Sequence, residues 1–241
     1  MASAVLFVAI LASGYFLYLQ TLPVTLKLNF QAGVGKESLE FNQIRYPNPG
    51  GEGKFKIRAF QFYISNIRLL GESSEYIEPD SYHLARFDID ATGYKIELED
   101  VPRQQYDRIE FAIGVDSVAN SSIASVGDLD PNSRMAWNWE VGYKFVLFEG
   151  GLVLGEVHYP LVYHVGFNEN LKSFSMTLDR PPFDGPPWND PRELTFDVDI
   201  LQLFSGKNAI DMAALPSVKF DKADAGLIAD NYATMVTLRR D

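Results

Sequence analysis

"FKIRAFQFYISNIRLL", residues 55–70, decides the fold. Phe60, Phe62 and Ile64 alternate through its middle, and period-two alternation places every second side chain on one face of a strand. The same pattern recurs along the chain. "VTLKLNF" (24–30) sets Val24, Leu26, Leu28 and Phe30 on one face. "YKIEL" (94–98), "RIEFAIGV" (108–115), "YKFVLF" (143–148), "FSMTL" (174–178), "LTFDVDI" (194–200) and "ATMVTL" (233–238) repeat it. Between these runs lie "YPNPGGEGK" (46–54), "VGDLDPNS" (126–133) and "DRPPFDGPPWNDP" (179–191), all dense in residues that favour turns or restrict the backbone. Helical signals are sparse: "SVANSS" (117–122) and, with a stronger signal, "KADAGLIADNYA" (222–233). With no internal repeat or linker, the expected fold is an all-β antiparallel β-sandwich. It carries one or two short helices and follows an apolar N-terminal segment.

At 241 residues, with 46% hydrophobic and 13% aromatic content, the chain can bury a large core. Its 32 acidic against 21 basic residues leave a net charge of −11, which would repel a phosphate backbone and excludes nucleic acid as a partner. There is no cysteine, which removes disulfides, thiolate metal sites and cysteine nucleophiles together. From Met1 to Leu26 no residue is charged, so residues 1–23 read as a signal peptide or membrane anchor and residues 24–241 as the β-domain. The expected location is the periplasm or cell envelope, with membrane attachment through residues 1–23 if they stay uncleaved.

Chemistry concentrates in few residues. There are three histidines: His83 in "SYHLARFDI" (81–89), and His158 and His164 in "EVHYPLVYHVGF" (156–167). The even spacing of the last two puts them on one strand face, although Pro160 between them argues against a continuous central strand. His164, between Tyr163 and Val165, needs a partner if buried, and a metal is one way to supply it. Histidine and methionine donors without cysteine suit copper in an exported protein. No nucleophile elbow or selectable carboxylate pair is present, so a non-catalytic role is expected. In "SRMAWNWEVGYKF" (133–145), Trp137 and Trp139 stand on alternate positions beside Met135, which reads as aromatic packing at the start of a strand or as a wall beside a metal. Two non-metal readings stand beside copper: an adhesion or partner-docking sandwich, and a carbohydrate-acting enzyme or binder using exposed aromatics such as Trp188.

The ordered blocks "FQFYISNIRLL" (60–70), "YHLARFDID" (82–90), "DRIEFAIGVDSVANSS" (107–122), "DLDPNSRMAWNWEVGYKFVLFEG" (128–150) and "YHVGF" (163–167) resemble the MbnP-like family, as do "FDVDILQLF" (196–204) and "GLIADNYATMVTL" (226–238). The most specific block is "MAWNWEVGYKF" (135–145). The resemblance implies an exported copper-binding β-sandwich, associated with methanobactin systems. It also implies a partner, a di-haem cytochrome c peroxidase-like enzyme, that oxidises a tryptophan to kynurenine. By that likeness the copper ligands are His164, His83 and one of Trp137 and Trp139, with Trp139 slightly preferred. An intact indole nitrogen is a poor donor because its lone pair belongs to the ring, whereas the opened ring offers an amine and a ketone.

Overall fold

The computed structural model describes residues 13–122, 127–138, 142–183 and 192–240. Two sheets face each other, as the alternating runs require. The smaller contains β1 (Val24–Val34), β2 (Glu37–Ser38), β7 (Gly93–Val101), β13 (Glu193–Asp199) and β15 (Val236–Leu238). β1 lies at its centre, antiparallel to β7 and parallel to β13. The larger sheet runs β12–β8–β4–β10–β11–β14: Lys172–Thr177, Arg108–Ile113, Lys54–Leu70, Gly142–Leu154, Val157–Gly166 and Ser217–Val218. Three short strands line the other side of β4: β3 (Tyr46–Pro47), β5 (Glu75–Ile77) and β6 (Tyr82–Phe87). β9 (Ala136–Asn138) pairs with the start of β10. The β1–β13 and β11–β14 pairs are parallel, so both sheets are mixed where antiparallel pairing was expected throughout. Beyond residue 24, the α-helices among the described residues are α1 (Ser117–Asn120), α2 (Gln202–Ser205) and α3 (Lys222–Tyr232).

The main core fills the space between the sheets. Phe30 of β1 stacks on Phe196 of β13 at 4.8 Å and meets Phe111 of β8 edge-on at 5.9 Å, so aromatic contacts join the two layers. Leu203, Phe204, Ile228 and Tyr232 from α2 and α3 close one end. Asp221 caps α3 by accepting from the Asp224 amide, which supplies a missing partner at the helix start.

β4 explains why the opening stretch is so apolar. Its two ends alternate in burial, but every residue from Phe60 to Ser65 is buried. Phe60, Phe62 and Ile64 face the main core, while Tyr63 joins a second cluster on the opposite face with Leu84, Val115, Leu129, Met135, Tyr143, Phe145 and Leu147. Bulges near residues 58 and 66–67 shift the inward phase from Phe55 and Ile57 to Phe60, and then again to Ile67 and Leu69.

The second cluster exists because residues 127–138 cross the outer face of the larger sheet. Tyr63 donates its hydroxyl to the Asp128 carbonyl at 2.9 Å, and Tyr143 donates to the Leu129 carbonyl at 2.5 Å. The Leu84 amide donates to the Asp128 carboxylate at 2.7 Å. The loop is thereby pinned at three points to β4, β6 and β10. Pro160 does not interrupt β11, whose pairing with β10 runs unbroken from Val157 to Val165. β14 pairs only with Val162 and Tyr163, so Pro160 sits where β11 is a sheet edge and its missing N–H costs no ladder bond.

Residues 13–21 are helical and expose Tyr15, Leu17 and Tyr18. Among the described residues, no helix is long and apolar enough to cross a membrane.

Candidate functional site

The outer face of β11 carries the candidate site. Tyr163 and Val165 point into the main core, so strand alternation sends Val162, His164 and Gly166 the other way. The cross-strand neighbour of His164 is Leu147, a member of the outer cluster, which fixes that face independently. Glu149 lies opposite Val162 on β10 and shares the face; its Oε1 is 3.1 Å from His164 Nε2. The Arg134 guanidinium approaches the same oxygen at 3.6 Å.

Trp137 comes to this face from the pinned loop. β9 pairs Ala136 with Tyr143 and Asn138 with Gly142, which lays the indole over the end of β11. A Cβ at Gly166 would stand 2.7 Å from Trp137 Cζ3 and 2.4 Å from the Tyr143 carbonyl oxygen. The indole therefore rests on bare backbone that only glycine provides. Phe167 and Phe220 flank it, with ring centroids 5.5 and 5.2 Å away. His164 and Gly166 are two residues apart on one face, about 7 Å along the strand. The imidazole and the glycine that seats the indole thus share one strand face.

The electrostatics around His164 are mixed. Burial lowers its pKa below the usual histidine value, and the Lys144 and Lys219 charges lower it further, while Glu149 acts in the opposite direction. Lys144 is itself lowered by burial and by Arg134, and its ammonium donates to the Arg134 carbonyl at 2.6 Å. One carboxylate and two lysine charges thus act on the imidazole in opposite directions.

A family model for MbnP matches residues 23–220. The chain belongs to the MbnP family. Among solved structures, MbnP from Methylosinus trichosporium is similar, with a TM-score of 0.54 and 16% identity over 83% of this chain and 82% of that one. At that identity the likeness speaks for the fold. No curated protein matches the chain.

Within this MbnP-family fold the expected site residues separate. His164 and the glycine beneath Trp137 are two residues apart on β11. His83 does not join them: it lies opposite Ile64 of the main core, whereas its neighbour Leu84 belongs to the outer cluster. His83 therefore projects from the other face of the sheet. There its Nε2 meets both Glu78 oxygens at 3.0 and 2.9 Å, and Ser81 also donates to Glu78. His158 shares the face of His164 but is exposed and six residues away, about 20 Å along the strand. Trp139 and Trp188 lie outside the described residues. Met135 is fully buried in the outer cluster with Tyr63 and Tyr143, while Tyr163 faces the main core.

Sequence reasoning missed Glu149, Arg134, Lys144, Lys219 and the role of Gly166. Glu149 had a signal: it is an acid closing the otherwise apolar run "FVLFEGG" (145–151), where a buried charge needs a partner. Among the described residues, no group of three or more histidine, aspartate or glutamate side chains is placed to hold a metal. His164 and Glu149 are two donors, and an intact Trp137 is not a third.

Proposed function

We propose that this chain is an exported, non-catalytic copper-binding protein of the cell envelope. It holds Cu(I) through His164 and a tryptophan oxidised to kynurenine by a di-haem cytochrome c peroxidase-like partner. The observation that carries this reading is the seating of Trp137 on Gly166, on the strand face that bears His164. Membership of the MbnP family supports it. The donor count fits the reading only if Trp137 or Trp139 is oxidised, because ring opening supplies the nitrogen and oxygen that the described side chains lack. His83 is left out of the ligand set because the sheet stands between it and the indole. Export rests on the uncharged stretch from Met1 to Leu26, and residues 1–23 serve as a signal or membrane anchor.

The test has two parts. Mass spectrometry of the protein from its native host should find a ring-opened tryptophan in the peptide that contains residues 137 and 139. Competition titration with a Cu(I) chelator should then find stoichiometric binding in the oxidised protein, its loss in His164→Ala, and weak binding in the unoxidised chain. Intact tryptophans together with no copper binding would overturn the reading.

A further inference from the structure

The hydrogen bond between Glu149 and His164 bears on how the imidazole could act as a ligand. A neutral imidazole carries one N–H and one lone pair, and its partner decides which nitrogen has which. A carboxylate only accepts, so a ring nitrogen 3.1 Å from Glu149 Oε1 must carry the proton. That nitrogen is Nε2, which leaves the lone pair on Nδ1. Among the described residues, none of the hydrogen bonds of His164 involves Nδ1. The carboxylate is also held in place: Glu149 is largely buried on β10, and Arg134 stands 3.6 Å from the oxygen that faces the imidazole.

We infer that Glu149 is the positioning residue of this site: it fixes His164 as the Nε2–H tautomer, so that the imidazole offers Nδ1 to a ligand. Histidines that bind metals through one nitrogen commonly donate the other N–H to a carboxylate, which sets both ring orientation and basicity. Arg134 completes the arrangement by countering the charge of Glu149 without contacting the imidazole. The inference rests on the copper reading only for the identity of the ligand; the tautomer itself is a property of the metal-free protein.

The experiment is long-range ¹⁵N NMR of the histidine side chains in the full chain without metal, near neutral pH. His164→Gln identifies one of three imidazole patterns. Wild type should show His164 as a single Nε2–H tautomer. Glu149→Ala should replace it with an averaged pattern, while Glu149→Gln, whose amide oxygen can still accept, should restore it. In the oxidised protein, Glu149→Ala should weaken Cu(I) binding by about tenfold to a hundredfold, and Glu149→Gln should recover part of that loss. An Nδ1–H tautomer in wild type, or an unchanged pattern in Glu149→Ala, would sink the inference. The expected tautomer pattern without Cu(I) binding in any variant would uphold the positioning role and overturn the copper reading instead.

Discussion

The larger sheet carries two histidine–glutamate pairs, one on each face, and the chemistry of the pairs alone does not tell them apart. In the first, Glu78 accepts from Ser81 and faces His83 through both oxygens, and the Ser81 hydroxyl accepts the Ile67 amide at 2.8 Å. Every group there secures the turn between β5 and β6. Around it the groove is lined by Glu97, Glu99 and Asp100, a surface more hospitable to a cation than the one near His164. In the second pair, Glu149 touches His164 with one oxygen, and Lys144, Lys219 and Arg134 place cationic charge around the pair. Among the described residues both imidazoles engage their glutamate through Nε2 alone, so Nδ1 carries no hydrogen bond in either pair. Only the second stands on the strand face that seats an oxidisable indole, and that difference separates a structural lock from a candidate site.

The largest effect should come from the support beneath the indole. Gly166→Ala forces a Cβ against the Tyr143 carbonyl, which as backbone cannot swing aside, and against Trp137. A loss of about 3 kcal/mol is expected by urea denaturation, together with a change in tryptophan emission, because overpacking is relieved only by moving the loop or the strand. The His83 signals should stay where they are. A well-tolerated alanine would break the comparison by showing that the indole is not seated there.

Next is the lock itself. Ser81→Ala removes the acceptor of the Ile67 amide and one partner of Glu78 in a buried setting. Orphaning such groups costs about 1–3 kcal/mol. Cu(I) affinity should not change, and a loss of affinity here would mean that the two faces are coupled. His83→Gln should behave likewise, with a smaller stability loss.

The β-sandwich was legible because its evidence is local. Alternation in "VTLKLNF" and "FQFYI" follows from strand geometry, and the turn residues between runs need no tertiary context. The pairing of His83 with His164 was not legible, because deciding whether two residues share a face requires the register of every strand between them. β4 changes its inward phase twice, near residues 58 and 66–67, and no composition rule marks both bulges. A parity count along "FKIRAFQFYISNIRLL" therefore goes wrong even though the strand is correctly identified. Trp137 was legible as an unusual aromatic beside a strand. That it rests on Gly166 was not, since the two are 29 positions apart and meet only through the β9–β10–β11 ladder.

A further prediction concerns the pins of the outer loop. Tyr143→Phe deletes the bond to the Leu129 carbonyl and should cost about 1 kcal/mol. Because Ala136 pairs with Tyr143, part of the effect should reach Trp137 as altered emission, whereas the His83 pair should not respond. A stability loss without any optical change would mean that the pins hold the loop but not the indole.

The smallest effect is the pH dependence of His164, and its sign discriminates between the forces on the ring. Burial and the charges of Lys144 and Lys219 hold its pKa below the ordinary histidine value, against the pull of Glu149. The folded state therefore favours the neutral ring. Above the unfolded pKa of about 6.5 neither state binds the proton, and this preference contributes in full. As pH falls below that value, the unfolded chain takes up the proton first, and the contribution fades until the folded pKa is passed. The stability difference between wild type and His164→Gln should accordingly shrink between about pH 7.5 and about pH 5. If Glu149 dominated instead, the folded pKa would be raised and the same difference would grow on acidification. Equilibrium urea midpoints for the two proteins across that range distinguish the cases, and a growing gap would place His164 with the charge-paired histidines and not with the buried ones.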